Sequence, residues 1–355
     1  MKLKLLSPGP VPIPDFVQAA LGKEVIHHRD KAFEKFHQEL LNRFRFIFQT
    51  EKGVCSCIGS GTYGVEMAIY SLFRAGEEVL VPVQGKFSER WAAYGQHLGL
   101  KIHQLPISWG QSPDVEEIMQ AWEKNPATKG IILTHSETST GALLDLEEIA
   151  FQLKSKNPDF LILVDGITSI GSLPYYHDAW GIDCSVIASQ KALMNPAGLV
   201  AFAFSERGRS CLRESQRADF QNLYNHLKAA DNCSTAYTPP VQLLFGVDAA
   251  ITYMQKEGYP AIWHRVQQTA RYFREEIKKL GGLIFPDDPS DSLSSFSFPG
   301  RDHQELKKSL EERHALLLSG GQGELKGKIL RVSHMGLLDR ADMEEVIEAI
   351  KKEIS

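Results

Sequence analysis

Cysteine is scarce and irregular in this chain. The five thiols, Cys55, Cys57, Cys184, Cys211 and Cys233, are odd in number and unevenly spaced, which argues against a disulfide framework. Cys55 and Cys57 have the wrong spacing for a zinc knuckle and no second pair nearby. Reduced thiols in a cytoplasmic protein are the expectation. Positive charge is not in excess either. A formal net charge of -5 leaves no basic footprint for nucleic acid and no polybasic patch for a membrane surface. No apolar run is long enough to span a bilayer. The segment Met1–Leu6 carries two lysines but no small-residue cleavage site, and Pro8, Pro10, Pro12 and Pro14 follow at once. It reads as an arm, not a signal peptide. Internal repeats and low-complexity segments are missing as well.

What the chain does have is size and alternation. Its 355 residues, 43% of them hydrophobic, suffice for one large domain with a smaller one beside it. Short apolar runs at Glu78–Val81, Gly130–Thr134, Leu161–Val164, Cys184–Ala188 and Leu199–Phe204 read as strands. Helical periodicity separates them, as in Val65–Phe73 and Leu146–Lys154. Such alternation predicts an α/β three-layer sandwich around a mostly parallel sheet. The loop between Cys184–Ala188 and Leu199–Phe204 is too short for a parallel crossover. Those two strands are therefore expected to be antiparallel neighbours, making the sheet mixed. The last third changes to long amphipathic helices, about Val241–Gln255 and Ala261–Leu280, then strands at Ser295–Phe298 and Lys328–Val332 and a closing helix Asp342–Glu353. The expected division is an arm at 1–15, a large domain at 16–256 and a smaller α+β domain at 257–355.

Lys191 is the residue with most chemical content. It stands in Ser189-Gln190-Lys191 just past the buried strand Cys184–Ala188. A lysine held near the interior resists protonation and becomes nucleophilic, the property a Schiff-base lysine needs. A second feature is Gly59-Ser60-Gly61-Thr62-Tyr63-Gly64, opening a helix expected at Val65. Glycines allow close backbone approach, the helix N-terminus offers free N–H groups, and two hydroxyls add donors, which suits one phosphate monoester. It is neither a P-loop nor a G-x-G-x-x-G dinucleotide site.

Asp165 closes the strand Leu161–Val164, where ligands of α/β sheets bind. An acid there can pair with a protonated ring nitrogen, though helix capping is the commoner use of such a residue. The polar run His135-Ser136-Glu137-Thr138-Ser139-Thr140-Gly141 also follows a strand. His135 and Glu137 lack a third metal ligand, so no metal is expected, and His135 reads as a hydrogen-bonded loop histidine. Arg331, in Lys328-Ile329-Leu330-Arg331-Val332-Ser333, can grip a carboxylate bidentately.

Taken in order, these motifs resemble those of the class V pyridoxal-phosphate aminotransferases, a fold type I family, and most closely its alanine–glyoxylate and serine–pyruvate branch. The opening Leu6-Ser7-Pro8-Gly9-Pro10 is similar to that family's start, and the resemblance covers nearly the whole chain. It implies pyridoxal 5'-phosphate as cofactor, with Lys191 forming the Schiff base and Asp165 holding the pyridine nitrogen. Ser60, Gly61, Thr62 and Gln190 would bind the phosphate. Phe87, at a position often tryptophan in the family, would stack on the ring, with Ile167 on its other face. Thr138 would meet the phenolic oxygen, and Arg331 with Ser169 would bind the substrate. Thr238, in Ala236-Tyr237-Thr238, would reach the phosphate of a partner subunit, implying a homodimer with shared sites.

The implied reaction is ping-pong transfer of an amino group from alanine or serine to glyoxylate or pyruvate, both small-molecule partners. The runner-up is 2-aminoethylphosphonate–pyruvate transamination. A cysteine desulfurase would place histidine before the lysine and a cysteine on a C-terminal loop. Here Gln190 precedes the lysine and no cysteine follows Cys233.

Overall fold

The computed structural model describes residues 3–214 and 219–354. Along the chain, β1 (Lys4–Leu5), α1 (Asp15–Leu21) and α2 (Lys31–Phe48) come before an alternating stretch. That stretch runs β2 (Gly53–Gly59), α3 (Gly61–Leu72), β3 (Glu78–Val83), α4 (Lys86–His97), β4 (Lys101–Pro106), α5 (Val115–Lys124) and β5 (Thr128–Thr134). A short hairpin follows, β6 (Ser136–Glu137) with β7 (Ala142–Leu143). Then come α6 (Leu146–Lys156), β8 (Leu161–Asp165), β9 (Cys184–Ala188) and β10 (Gly198–Phe204). The helices α7 (Glu206–Cys211), α8 (Leu223–Asp231), α9 (Val241–Glu257) and α10 (Tyr259–Lys279) lead into the C-terminal part. It holds β11 (Leu283–Ile284), β12 (Leu293–Ser297), α11 (His303–His314), β13 (Leu316–Leu317), β14 (Ser319–Gly320), β15 (Leu330–Ser333) and α12 (Arg340–Ile354).

Seven strands form the central sheet in the order β2-β10-β9-β8-β5-β3-β4. β10 runs antiparallel to both its neighbours, and the other pairs are parallel. The sheet is thus mixed and mostly parallel, and its one reversed strand is the one the short loop after Lys191 requires. β8 and β9 are buried at every residue, as parallel strands covered on both faces must be. A smaller antiparallel sheet, β11-β12-β15-β14, has its own apolar core with α10, α11 and α12. No helix among the described residues is long and apolar enough to cross a membrane.

The segment before α1 ties the two sheets together. β1 pairs in parallel with β13, and Leu6 is fully buried in the smaller core. The Ser333 N–H donates to Leu6 O at 2.8 Å, and the Val11 N–H donates to Gln190 O at 3.1 Å. Between those anchors the chain passes directly over Lys191.

The expected start of α3 moves. α3 begins at Gly61, not at Val65, because Ser60 caps it: its Oγ accepts from the Tyr63 N–H at 3.2 Å. Gly61 and Thr62 therefore open the helix's first turn with Ser60 as its cap, and the free amides of that turn lie inside the motif.

Candidate active site

The strand ends β5, β8 and β9 and the N-termini of α3 and α4 meet at one side of the central sheet. Lys191 follows β9 in a tight turn, and its side chain is nearly enclosed. Burial pushes its ammonium down to about 8, the nearby Arg331 charge pushes the same way, and Asp165 opposes both. Its Nζ donates to Pro8 O. Gly9 makes that approach feasible: its φ is +115°, and a Cβ there would stand 2.2 Å from Lys191 Nζ. Only glycine fits such a place.

Asp165 is buried at the end of β8. Its Oδ2 accepts from the indole Nε1 of Trp91 at 2.9 Å, and its Oδ1 accepts from the Ile167 N–H at 3.0 Å. Burial raises this carboxyl to about 6. The Ile167 N–H opposes that rise, Glu137 adds to it, and Trp91 and Lys191 oppose it.

Arg331, on β15, reaches into the same region from the smaller sheet. Nε and Nη2 donate to Gly320 O at 3.0 and 2.8 Å, and Nη1 donates to Thr138 O at 2.6 Å. It forms no ion pair among the described residues, and burial lowers it to about 10 while Glu137 opposes. A buried guanidinium held by neutral carbonyls leaves its charge for an incoming anion.

The other residues read from sequence lie as follows. Thr138 shares a 3.0 Å hydroxyl contact with Thr168. Ser169 is fully buried, its Oγ without a hydrogen-bond partner among the described residues. Ile167 packs against Gly61, where a Cβ would meet its Cδ1 at 2.7 Å. Gln190 lies beside Lys191 with a buried Oε1 that has no hydrogen-bond partner among the described residues. Thr62 accepts a hydrogen bond from Arg90, and Phe87 sits in the first turn of α4. Thr238 is different: it is exposed on the loop before α9, and its side chain forms no hydrogen bond among the described residues.

His135 departs from expectation. Its Nδ1 has no hydrogen-bond partner, and the ring packs against Tyr175 and Trp180 instead. Burial lowers it to about 3, so the ring is a neutral core aromatic.

Trp91 and Arg90, not singled out from sequence, organise the site together with Glu137, weighed from sequence only as an incomplete metal ligand. The fully buried Glu137 accepts from the backbone N–H groups of Phe87, Ser88 and Ser139 at 3.0–3.1 Å. It also accepts from the hydroxyls of Ser88 and Ser139 at 3.2 and 2.6 Å. It caps α4 from fifty residues away and fixes the loop whose next carbonyl holds Arg331. Trp91 and Arg90 lie one turn along α4 from Phe87. The sequence cue was helical spacing from Phe87, at i+3 and i+4.

The class-V aminotransferase family model matches residues 16–345, and the chain belongs to that family. Its cofactor is pyridoxal phosphate. The chain is 32% identical over 355 residues to the soluble hydrogenase 42 kDa subunit of Anabaena cylindrica, covering 99% of this chain and 92% of that one. Among solved structures it resembles an aspartate aminotransferase of subgroup IV from Thermus thermophilus, at TM-score 0.92 and 32% identity, covering 99% and 100% of the two chains. It also resembles an alanine–glyoxylate aminotransferase from Nostoc sp., at TM-score 0.94 and 28% identity, covering 100% and 96%.

Proposed function

We propose that this aminotransferase moves an amino group from a small neutral amino acid, alanine or serine, to glyoxylate or pyruvate. The observation that carries the reading is Arg331: a buried guanidinium with no ion pair among the described residues, whose charge is felt at Lys191. The likeness to the Nostoc protein, named for alanine and glyoxylate, supports it.

The residues present suit the cofactor. The first amides of α3 lack intrahelical partners, and Ser60, Thr62 and Gln190 add polar groups for its phosphate. Asp165 keeps lone pairs for the ring nitrogen beyond those used by Trp91 and Ile167. Phe87 and Ile167 supply the two apolar faces. Bound pyridoxal phosphate supplies an electrophilic aldehyde and an electron-withdrawing ring.

The chain's own groups then do the following. Lys191, with its lowered ammonium, presents a neutral amine as nucleophile and afterwards as general base for the Cα proton. Asp165 keeps a proton on the ring nitrogen. Arg331 takes the substrate carboxylate, with Ser169 beside it, and so orients the Cα–H bond toward Lys191. Thr238 completes the phosphate site of a second copy in a homodimer, and the reduced thiols suit a cytoplasmic setting.

A second reading has support of its own. The Thermus protein is named for aspartate, so a dicarboxylic donor enters the same test. Purified holoenzyme is mixed in single turnover with alanine, serine, aspartate or 2-aminoethylphosphonate, and the cofactor's visible absorbance is followed. Fastest conversion by alanine or serine is the expected result. Fastest conversion by aspartate or by the phosphonate overturns the neutral-donor assignment, and no response to any donor overturns the aminotransferase reading.

A further inference from the structure

One face of α4 carries three residues at i, i+3 and i+4, and each touches a different part of the site. Phe87 is the ring-stacking candidate. Trp91 donates to Asp165. Arg90 lies between them: its Nη1 donates to Thr62 Oγ1 at 2.8 Å, and its guanidinium carbon stands 5.1 Å from the centre of the Phe87 ring.

Charge balance singles out Arg90. A phosphate monoester carries close to two negative charges at neutral pH. The α3 N-terminus offers about half a positive charge. Ser60, Thr62 and Gln190 are neutral, and Lys191 is committed to the aldehyde end. Among the described residues Arg90 forms no ion pair; Glu66 is the acid that feels its charge, and Glu66 is itself raised by burial.

Hydroxyl geometry gives the link. A threonine hydroxyl has one donor and two acceptor sites. Arg90 occupies an acceptor site of Thr62, so the hydroxyl proton is left to point elsewhere. In the same turn the Gly61 and Thr62 amides have no acceptor among the described residues. The geometry points to Arg90 as a positioning residue for the phosphate end of the cofactor: it orients the Thr62 hydroxyl as a donor, supplies the missing positive charge, and rests on the outer face of Phe87. This rests on the cofactor assignment made above. No other cation described in the site serves that end, and the cation–π contact holds the guanidinium beside the Phe87 ring.

The test compares two cofactor forms on the apo-protein. Pyridoxal phosphate and pyridoxal, which lacks the phosphate, are titrated into wild type, Arg90→Gln and Arg90→Lys, with binding followed by quenching of Trp91 and the other tryptophans. Arg90→Gln is expected to weaken pyridoxal phosphate binding about tenfold or more, with pyridoxal changed less than about twofold. Arg90→Lys keeps the charge and recovers part of the loss. Equal weakening of both forms, or no weakening of either, overturns the assignment. If Arg90→Gln does not fold, Arg90→Lys decides by the same ratio: a phosphate-selective loss supports the role, and a non-selective one overturns it. Wild type binding neither form would instead sink the cofactor reading on which the inference stands.

Discussion

Trp91 donates its indole N–H to Asp165 across 2.9 Å, so the carboxylate at the end of β8 is held by a residue on the helix that also carries Phe87. That bond fixes the plane of the carboxylate. It offsets burial only in part, and the carboxyl remains raised to about 6.

A raised carboxyl costs stability when it ionises. The folded-state value of about 6 lies above the ordinary 3.8, so the folded cofactor-free protein holds this proton more tightly than the unfolded chain. That contribution is complete below pH 3.8 and is lost as pH rises to about 6, by on the order of 3 kcal/mol. Asp165→Asn removes the loss. Urea unfolding of cofactor-free protein should show a fall between pH 4 and 6 in wild type that is smaller by this amount in the variant. Activity should drop about a hundredfold or more, because asparagine cannot hold a ring-nitrogen proton.

Lys191 should be the most reactive lysine at neutral pH. With its ammonium at about 8 instead of 10.5, about a tenth is neutral amine at pH 7, where a surface lysine is almost wholly charged. Brief acylation of cofactor-free protein, read by peptide mass spectrometry, should label Lys191 with half-maximal rate near pH 8. A midpoint above pH 10 would contradict its burial.

Arg331→Lys should separate binding from chemistry. Lysine cannot span Gly320 O and Thr138 O and still face a carboxylate with a planar fork. KM for amino and oxo acids should rise about ten- to a hundredfold, with kcat changed less. Steady-state kinetics with both substrates varied reads this split; a fall confined to kcat would place Arg331 elsewhere in the reaction.

Glu137→Gln keeps the volume but turns two acceptor oxygens into one. Some of the five donors around it then face an amide N–H₂. A loss of about 2–4 kcal/mol in stability is expected, measured as a lower midpoint in denaturant with unchanged slope. The same substitution should weaken cofactor binding, since Phe87 is fixed by that carboxylate.

Much of this architecture is legible before any coordinates. Buried strands such as Leu161–Val164 announce themselves as unbroken apolar runs, and Cys184–Ala188 is interrupted only by Ser185. The nine-residue gap after Ala188 forces β10 to run backward. β2 is quieter because Ser56 and Gly59 dilute it, and β4, Lys101–Pro106, is a half-polar edge strand. The site divides in the same way. Lys191 and Asp165 are marked by their place at strand ends. Glu137, Trp91 and Arg90 act through partners 28 to 74 positions away, and no local pattern encodes a contact made by packing α4 against α3 and β5. His135 shows the converse: a polar neighbourhood in sequence became an aromatic cluster in space.

The segment over Lys191 has a consequence for how the chain matures. Residues 4–11 leave the ribosome before their partners Gln190, Leu316, Leu317 and Ser333. They must wait without those partners until Ser333 has been made. The central sheet can form first, since its strands end at Phe204, but the roof over the lysine closes only after β15 exists. Catalytic competence is therefore acquired late in synthesis, and a chain stalled short of Ser333 would hold a sheet and a lysine without an enclosed site around them.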